Sequence, residues 1–125
     1  MNCKIQKSKL NGKITCPSNK SYTHRAIFLA ALSDGKSIVK KILRSNDTLA
    51  TISACRGFGV EVEEVEDKVT INNTIDSTVE NSMINAENSG TTIRIAIAIA
   101  ALSGGNTLLT GDESLKKRPM QPILD

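Results

Sequence analysis

The sequence predicts a mixed α/β fold in which a unit of strands and helices occurs twice. First, short β-branched stretches alternate with longer segments rich in alanine, leucine and isoleucine, as strands alternate with helices. Second, two of the longer segments are similar to each other. Third, the 125 residues are 39% apolar with one Tyr, two Phe and no Trp, which indicates a globular domain with an aliphatic core. This composition excludes coiled-coil, collagenous and disordered chains.

The first cycle of elements is delimited by turn and cap residues. Its predicted elements are strands at 5–10 and 13–16, a helix at 21–33, a strand at 37–43, a helix at 48–58 and strands at 60–65 and 68–72. Asn11-Gly12 is the commonest pair in a tight hairpin, and Asp34-Gly35 is a typical helix end. Ser45-Asn46-Asp47 supplies an N-cap for the second helix. The last two strands alternate apolar and charged residues around Asp67, which predicts an exposed hairpin.

The second cycle repeats the order of strand, helix and strand. Its predicted elements are a strand at 83–86, a loop at 87–90, a helix at 91–102, a strand at 107–110 and a charged loop at 111–118. The helix is apolar almost all round, which predicts burial on nearly every side, as for the first helix. Pro119 suits the first turn of a further helix.

The two cycles are copies of one another. Arg25 and Arg94 each follow a Ser or Thr at the start of an apolar helix, and Gly35 and Gly105 each stand between that helix and a following strand. The arginines are 69 residues apart and the glycines 70. A repeat of this length is a whole supersecondary unit. The second copy is shorter, so we expect a chain that is truncated within its second unit.

Charge, cysteine content and hydropathy indicate which ligands and which cellular compartment suit the chain. The formal net charge of +3 is too small to indicate nucleic-acid binding, although converging cations would suit small anions. Cys3, Cys16 and Cys55 are odd in number and lack the CxxC spacing, which favours reduced thiols and predicts no metal and no cofactor. The first ten residues do not resemble a signal peptide, and no 18 apolar residues run together. We therefore predict a cytoplasmic protein without membrane contact.

The first candidate site is the loop at residues 16–21 and the helix that follows it. Lys20 supplies a point charge, Ser21 a hydroxyl and Arg25 a planar fork, all beside free amides at a helix start. These groups suit a phosphate or a carboxylate, whereas a simple capped helix with solvated cations is the alternative. A nucleotide-binding phosphate loop is excluded because no glycine closely precedes Lys20.

The second candidate site is the segment at residues 88–92, again directly before an apolar helix. Gly90 permits close backbone approach to a ligand, while Asn88 and Thr91 are flexible donors. Arg94 needs a partner or the surface, because the rest of its helix is apolar. The alternatives are a plain N-cap and an ion pair of Arg94 with Glu87 or Asp112.

The third candidate site is the charged loop at residues 111–120. Three consecutive cations are usually a solvated loop, but Arg118 stands immediately before the predicted Pro119 helix start, where donor amides lie nearby. His24 is interpreted as structural or peripheral, since one histidine without a visible partner is weak support for acid–base chemistry. Cys16 and Cys55 have no obvious activating base.

Taken together, the three segments resemble the 5-enolpyruvylshikimate-3-phosphate synthase family. The stretches 17–26, 88–94 and 111–120 are similar to that family's three N-terminal signatures, in the same order and separation. The Lys20-Ser21 pair favours this family over the sister family that acts on a UDP-sugar, which has Lys-Asn there.

The resemblance implies a fold and a division of the chain. The implied fold consists of βαβαββ units with helices packed inward and sheets outward, as in enolpyruvyl transferases. Residues 1–13 would form hairpin strands belonging to a second domain, 14–84 the first unit of the N-terminal domain, and 85–125 an incomplete second unit.

The resemblance also implies an activity and the residues that serve it. The family is a transferase of the shikimate pathway of aromatic amino-acid biosynthesis, moving the enolpyruvyl group of phosphoenolpyruvate to the 5-hydroxyl of shikimate 3-phosphate. Lys20, Ser21 and Arg25 would bind shikimate 3-phosphate, and Lys20, Gly90 and Arg118 would bind phosphoenolpyruvate. The supporting residues would be Asn88, Thr91 and Arg94. The acid–base carboxylates are expected beyond Asp125, so the chain alone should be inactive.

The expected partners are two small anionic metabolites and not a nucleic acid. The full-length protein is expected to be a monomer. The alternative is a stand-alone anion- or RNA-binding module built on the same repeat. Against RNA, the chain lacks a dense Lys/Arg stripe, and Phe28 and Phe58 lie in core patterns, which leaves Tyr22 as a stacking side chain.

Overall fold

A computed structural model describes residues 3–76, 78–79 and 81–124 of the chain. Three helices of 12 or 13 residues and two single-turn helices are interleaved with five short strands in these ranges. In chain order the elements are α1 (Lys20–Ala31), β1 (Ser37–Val39), α2 (Asn46–Gly57), β2 (Val62–Val65), β3 (Lys68–Ile71), β4 (Ser82–Asn85), α3 (Gly90–Leu102), β5 (Thr107–Thr110), α4 (Glu113–Lys116) and α5 (Gln121–Leu124).

The strands form two small sheets. In the first, β3 lies between β1 and β2 and is antiparallel to both, with Ile71 opposite Ser37 on one side and Val62 on the other. In the second, β4 and β5 are parallel, with Ser82 opposite Thr107, and α3 makes the crossover that a parallel pair requires. The predicted hairpin around Asp67 and the predicted order of strand, helix and strand are both confirmed. The expected exposure of the hairpin is wrong for β3, where Val69, Thr70 and Ile71 are buried because β3 is the central strand.

Each long helix begins at a polar N-cap residue. Asn19 accepts the backbone N–H of Tyr22 at 3.0 Å, and Ser89 accepts that of Thr92 at 3.2 Å. Ser45 forms a capping box with Thr48 at the start of α2, as the sequence predicts for that cap. These caps bond one amide of each first turn and leave others free.

The core lies between the three long helices and the two sheets. Helix α2 contacts both α1 and α3, and side chains from both sheets complete the interior. The buried apolar side chains are mostly aliphatic, as predicted, and Phe28 and Phe58 are buried among them. The principal members of this core are Ile27, Phe28, Ile52, Cys55, Phe58, Val69, Ile71 and Ile84.

The predicted hairpin at residues 5–10 and 13–16 is wrong. The described residues from 3 to 16 form no strand, and Ile5, Leu10 and Ile14 are about nine-tenths exposed. An isolated two-stranded hairpin is marginal in water, and this segment pairs with neither sheet. The domain bounds remain a prediction, and residues 1, 2, 77, 80 and 125 within them lie outside the described residues.

The predicted burial of both apolar helices on nearly every side is also wrong within the described ranges. Leu29 on α1 and Leu102 on α3 are 65% and 83% exposed, because the sheets cover one side of the helix layer. These helices therefore carry more apolar side chains than the described residues bury. No described helix has both the length and the hydropathy needed to cross a bilayer.

Two shorter elements differ from their predicted bounds. The strand predicted at 37–43 ends at Val39, because Lys41 adopts a positive φ of 55° and the chain turns so that the Ile42 N–H donates to the Asp67 carbonyl at 2.9 Å. The charged loop at 111–118 contains α4, which Asp112 caps by accepting the Leu115 N–H at 2.7 Å. The helix predicted from Pro119 begins at Gln121.

The three thiols should react at very different rates. Cys3 and Cys16 are exposed, whereas burial raises the pKa of the Cys55 thiol to about 12. Since the thiolate is the reactive form, we expect a thiol reagent at pH 7.5 to label two cysteines quickly and Cys55 only on unfolding. Mass spectrometry of the native and denatured chain measures this. Rapid native labelling of Cys55 would contradict the packing of α2.

Candidate anion-binding site

The first turns of α1, α2 and α3 converge on Asp47. The ammonium group of Lys20 donates to the Asp47 carboxylate at 2.7 Å, and the Thr92 hydroxyl contacts the Asp47 carbonyl at 3.4 Å. Lys20 is the first residue of α1, Asp47 the second of α2 and Thr92 the third of α3. Because a helix N-terminus carries a partial positive charge and free amides, three of them together favour an anion.

Lys20 keeps donors available despite its ion pair. Its side chain is 51% exposed, and an ammonium group has three donors, of which Asp47 occupies one. Ser21 and Arg25 are four residues apart on α1, so they share one helix face. Both are exposed, and within the described ranges the Arg25 guanidinium makes no hydrogen bond or ion pair.

Arg118 lies directly over the first residue of α3. A Cβ atom at Gly90 would be 2.9 Å from Nη1 of Arg118, so glycine leaves the space that the guanidinium occupies. Nη2 of Arg118 donates to Oδ1 of Asn88 at 2.8 Å. The structure thus brings together Gly90, Asn88 and Arg118 from two separate segments, as the sequence analysis expects.

A carboxylate fixes the orientation of that asparagine. Asn88 donates through Nδ2 to Asp112, which leaves its Oδ1 to accept from Arg118. The hydrogen bond from Asn88, followed by that from the Leu115 backbone N–H, holds the pKa of Asp112 below its usual range. Asp112 is therefore ionised near neutral pH and acts as an acceptor that positions Asn88 and, through it, Arg118.

The ion pair considered for Arg94 does not form in the described residues. Arg94 donates instead to the Pro119 carbonyl at 3.2 Å, which ties α3 to the chain just after Arg118. Neither Glu87 nor Asp112 forms a hydrogen bond or ion pair with it, and Asp112 instead accepts from Asn88. The hydroxyl of Thr91 is exposed and makes no side-chain hydrogen bond within the described ranges.

His24 is a buried residue, in agreement with its structural interpretation. It is 1% exposed, and its Nδ1 lies 2.6 Å from the Thr51 hydroxyl. Burial lowers the pKa of His24 below its ordinary value of 6.5, and Asp47 opposes this shift while Lys20 reinforces it. The imidazole is therefore neutral at physiological pH and is not available to solvent as an acid or a base.

This burial makes the folded state sensitive to mild acid. Because the folded pKa of His24 lies below 6.5, the unfolded chain binds more protons, so this contribution to stability is complete above pH 6.5 and declines as pH falls below it. We expect the free energy of unfolding to fall between pH 7 and pH 5, measured by urea denaturation. His24→Asn should flatten this dependence; an equal slope in that variant would contradict it.

Sequence reasoning missed Asp47 as a residue of the site. It appears in the sequence as part of an N-cap motif, and its contacts with Lys20 and Thr92 join positions 27 and 45 residues apart. Thr51 was likewise missed, because a threonine within a helix carries no local signal of a buried hydrogen bond. Thr92 belongs to the predicted segment 88–92, but it is buried rather than a donor free for a ligand. The capping motif of Asp112 was a signal that could have been used.

Lys20, Arg25 and Arg118 are exposed, and two surface depressions lie near their helices. A cleft of about 610 Å³ adjoins the site, lined by Asn46, Leu49, Ala50, Ser53, Asn85, Glu87, Asn88 and Asp112. A groove of about 240 Å³ beside α1 includes Asn19, Lys40 and Lys41. Neither is lined by Lys20, Arg25 or Arg118, so neither of these pockets encloses the three cations.

The fold and this surface define an α/β protein in which the N-termini of three helices lie close together, with Lys20 at one of them and Arg118 over another. A family model described as EPSP synthase (3-phosphoshikimate 1-carboxyvinyltransferase) matches residues 5–125. The chain belongs to the EPSP synthase family.

Several relatives and solved structures are similar to the chain over most of its length. A 3-phosphoshikimate 1-carboxyvinyltransferase of Nitrosopumilus maritimus is 55% identical over all of the chain and 30% of the relative. One of Methanosarcina acetivorans is 50% identical over 99% of the chain and 29% of the relative. The structure of EPSP synthase from Acinetobacter baumannii superposes with a TM-score of 0.80 at 35% identity, covering 90% of this chain and 26% of that one. The chain thus spans about 30% of the length of these curated relatives.

Proposed function

We propose that this chain forms one wall of the site at which 3-phosphoshikimate 1-carboxyvinyltransferase binds shikimate 3-phosphate and phosphoenolpyruvate. The observation that carries the proposal is the convergence of the first turns of α1, α2 and α3 on Asp47, with Lys20 at one of them and Arg118 over Gly90 at another. Two multiply charged anions repel each other, and fixed cations with helix amides offset that repulsion.

Shikimate 3-phosphate is assigned to the start of α1. Lys20 offers two donors that Asp47 does not use, Ser21 offers an exposed hydroxyl, and Arg25 offers a guanidinium free of described partners. An exposed arginine in the second turn, such as Arg25, can bind a phosphate through two parallel hydrogen bonds. The Arg25 side chain must still order on binding, which predicts a weak site in the isolated chain.

Phosphoenolpyruvate is assigned to the start of α3, beside Lys20. Arg118 uses Nη2 for Asn88, so its other donors can face an anion. Gly90 presents backbone without a side chain at this point, which permits close approach of the ligand. Lys20 would stand between the two anions and interact with both.

In the proposed reaction, the 5-hydroxyl group of shikimate 3-phosphate gives up its proton to a base as its oxygen bonds to C2 of phosphoenolpyruvate, while an acid delivers a proton to C3. The tetrahedral intermediate then loses a proton from C3 and expels phosphate. The described carboxylates nearest the cations are already engaged, Asp47 with Lys20 and Asp112 with Asn88. The chain therefore binds and orients the substrates, and acid–base groups would come from outside the described residues.

A segment exchange tests the proposal. Residues 5–125 replace the matching segment of the Nitrosopumilus maritimus relative, and phosphate release is measured with both substrates. We expect turnover by the folded hybrid and none by the 125-residue chain alone. A folded hybrid that is inactive would contradict the proposal, as would a chain that binds single-stranded RNA in preference to shikimate 3-phosphate.

Gly90→Ala should separate the two substrates in this hybrid. The added Cβ would lie 2.9 Å from Nη1 of Arg118, which is the flexible end of a side chain, so the guanidinium shifts at little cost to stability. We expect the KM for phosphoenolpyruvate to rise about tenfold, while that for shikimate 3-phosphate changes less than about threefold. Equal effects on the two KM values, measured by steady-state kinetics, would contradict the assignment of Arg118.

A further inference from the structure

A chain of buried hydrogen bonds links the three long helices beneath the anion site. Nδ1 of His24 on α1 lies 2.6 Å from the Thr51 hydroxyl on α2, which lies 2.7 Å from the Thr92 hydroxyl on α3. Thr92 lies 2.7 Å from the Ser89 hydroxyl, and Ser89 caps α3. All four residues are at most 1% exposed, so water does not compete for these bonds.

The direction of this chain follows from counting its protons. Three hydroxyl groups supply three protons, and the chain has three short contacts. If Ser89 donates to Thr92, Thr92 to Thr51 and Thr51 to His24, every hydroxyl proton has a short acceptor. If His24 donates instead, either Thr51 or Thr92 retains only the Asp47 carbonyl as acceptor, at 3.4 Å, or Ser89 loses its acceptor among the described residues. In every arrangement Nε2 of His24 is buried without a hydrogen-bond partner among the described residues, so the hydroxyl protons alone distinguish the two directions.

We propose that this hydrogen-bonded chain, ending on neutral His24 as its acceptor, is the device that positions the two anion-binding segments relative to one another. His24 lies one turn after Lys20 on the same face of α1, and Ser89 immediately precedes Gly90. The chain therefore sets the distance between the groups assigned to shikimate 3-phosphate and those assigned to phosphoenolpyruvate. The inference rests on the proposed function for the identity of the ligands.

The geometry gives each member a distinct part. Thr51 lies on α2 between the other two helices and contacts both His24 and Thr92. Thr92 and Thr51 both also approach the Asp47 carbonyl, at 3.4 Å, and the Asp47 carboxylate bonds Lys20. The positioning residues thus act on Lys20 through Asp47 and on Gly90 through Ser89, and none of them touches substrate.

The first test needs no substitution. In ¹⁵N-labelled wild-type chain, long-range ¹H–¹⁵N correlation of the imidazole identifies which ring nitrogen carries the proton. We expect His24 at pH 7.5 as the tautomer protonated on Nε2, with Nδ1 accepting from Thr51. A proton on Nδ1, or a mixture of tautomers, would overturn the inference.

The second test measures binding of shikimate 3-phosphate to the same 125-residue chain by amide shifts. We expect Thr51→Val to weaken binding about three- to thirtyfold and Thr51→Ser, which keeps the hydroxyl, to restore wild-type affinity. Adding Thr92→Val to Thr51→Val should cost less than about another twofold, because both interrupt one chain. Thr70→Val is the matched control: this buried threonine makes no side-chain hydrogen bond in the described ranges and should leave binding unchanged.

The outcomes separate the two proposals. Wild-type binding that Thr51→Val leaves at the level of the Thr70→Val control would overturn the positioning role and leave the proposed function intact. Absence of any wild-type response to shikimate 3-phosphate would contradict the proposed function, and with it the ligand assignment. If Thr51→Val does not fold, the tautomer of the wild-type imidazole still decides the direction of the chain.

Discussion

Lys20→Ala in the hybrid enzyme is expected to lower kcat/KM about a hundred- to a thousandfold. Lys20 is the cation that faces both proposed anions, and removing a fixed donor from such a site costs about this factor. The fold decrease in kcat/KM should exceed the fold increase in KM for either substrate alone, because the repulsion between the anions is greatest when both are bound. Phosphate release at saturating and limiting substrate measures the two effects.

The control for this substitution is Lys116→Ala. Lys116 also pairs with a carboxylate, Glu113, at 3.1 Å, and its side chain is 53% exposed, which is close to the 51% of Lys20. Exposed ion pairs contribute little to stability, so both variants should unfold near the wild-type temperature. Equal kcat/KM values for Lys20→Ala and Lys116→Ala would show that the convergence of α1 with α2 and α3 is not a substrate site.

Gly111→Ala is expected to have the largest effect on stability among the glycine substitutions near the site. An added Cβ would lie 2.7 Å from the Glu87 carbonyl oxygen and would also overlap the Leu115 side chain. The carbonyl is main chain and cannot rotate away, and Leu115 is 1% exposed. We expect a loss of about 2 kcal/mol, or about 10 °C in Tm, measured by calorimetry.

The same substitution should weaken ligand binding. The Asp112 N–H donates to the Glu87 carbonyl at 2.8 Å, so displacing this contact moves the carboxylate that orients Asn88. Ser114→Ala, at an exposed position of α4, is the control and should change neither property. If Gly111→Ala unfolds at the wild-type temperature, then the contact between the Glu87 carbonyl and Asp112 is looser than the structure shows.

The elements with strong local signals were predictable from the sequence. Helices α1, α2 and α3 follow from apolar periodicity between polar caps and glycine, and β5 from a short β-branched and apolar run. The strand predicted at 13–16 has a similar pattern to β4, yet it forms no pair while β4 pairs with β5. Pairing depends on the neighbour that the fold supplies, and no local pattern contains that information.

The cations of the site were predictable from the sequence, but the hydrogen bonds that join its helices were not. Lys20, Gly90 and Arg118 were found because helix starts and a proline mark them, and the structure brings Arg118 over Gly90. The contacts of Asp47, Thr51 and Thr92 join residues 27 to 45 positions apart, and His24 was interpreted without its partner. Such contacts are determined by helix packing. An amphipathic pattern predicts which face of a helix is buried, but it does not predict which atoms of two helices meet.

The central claim is that the starts of α1 and α3 form one surface for small anions. Amide chemical shifts of the ¹⁵N-labelled chain, recorded during a titration with shikimate 3-phosphate and then with phosphoenolpyruvate, test it most directly. We predict that the first ligand shifts residues 19–25, that the second shifts residues 88–92 and Arg118, and that each ligand tightens binding of the other. Shifts confined to the exposed lysines at 36, 40 and 41, or scattered over the chain, would contradict the claim.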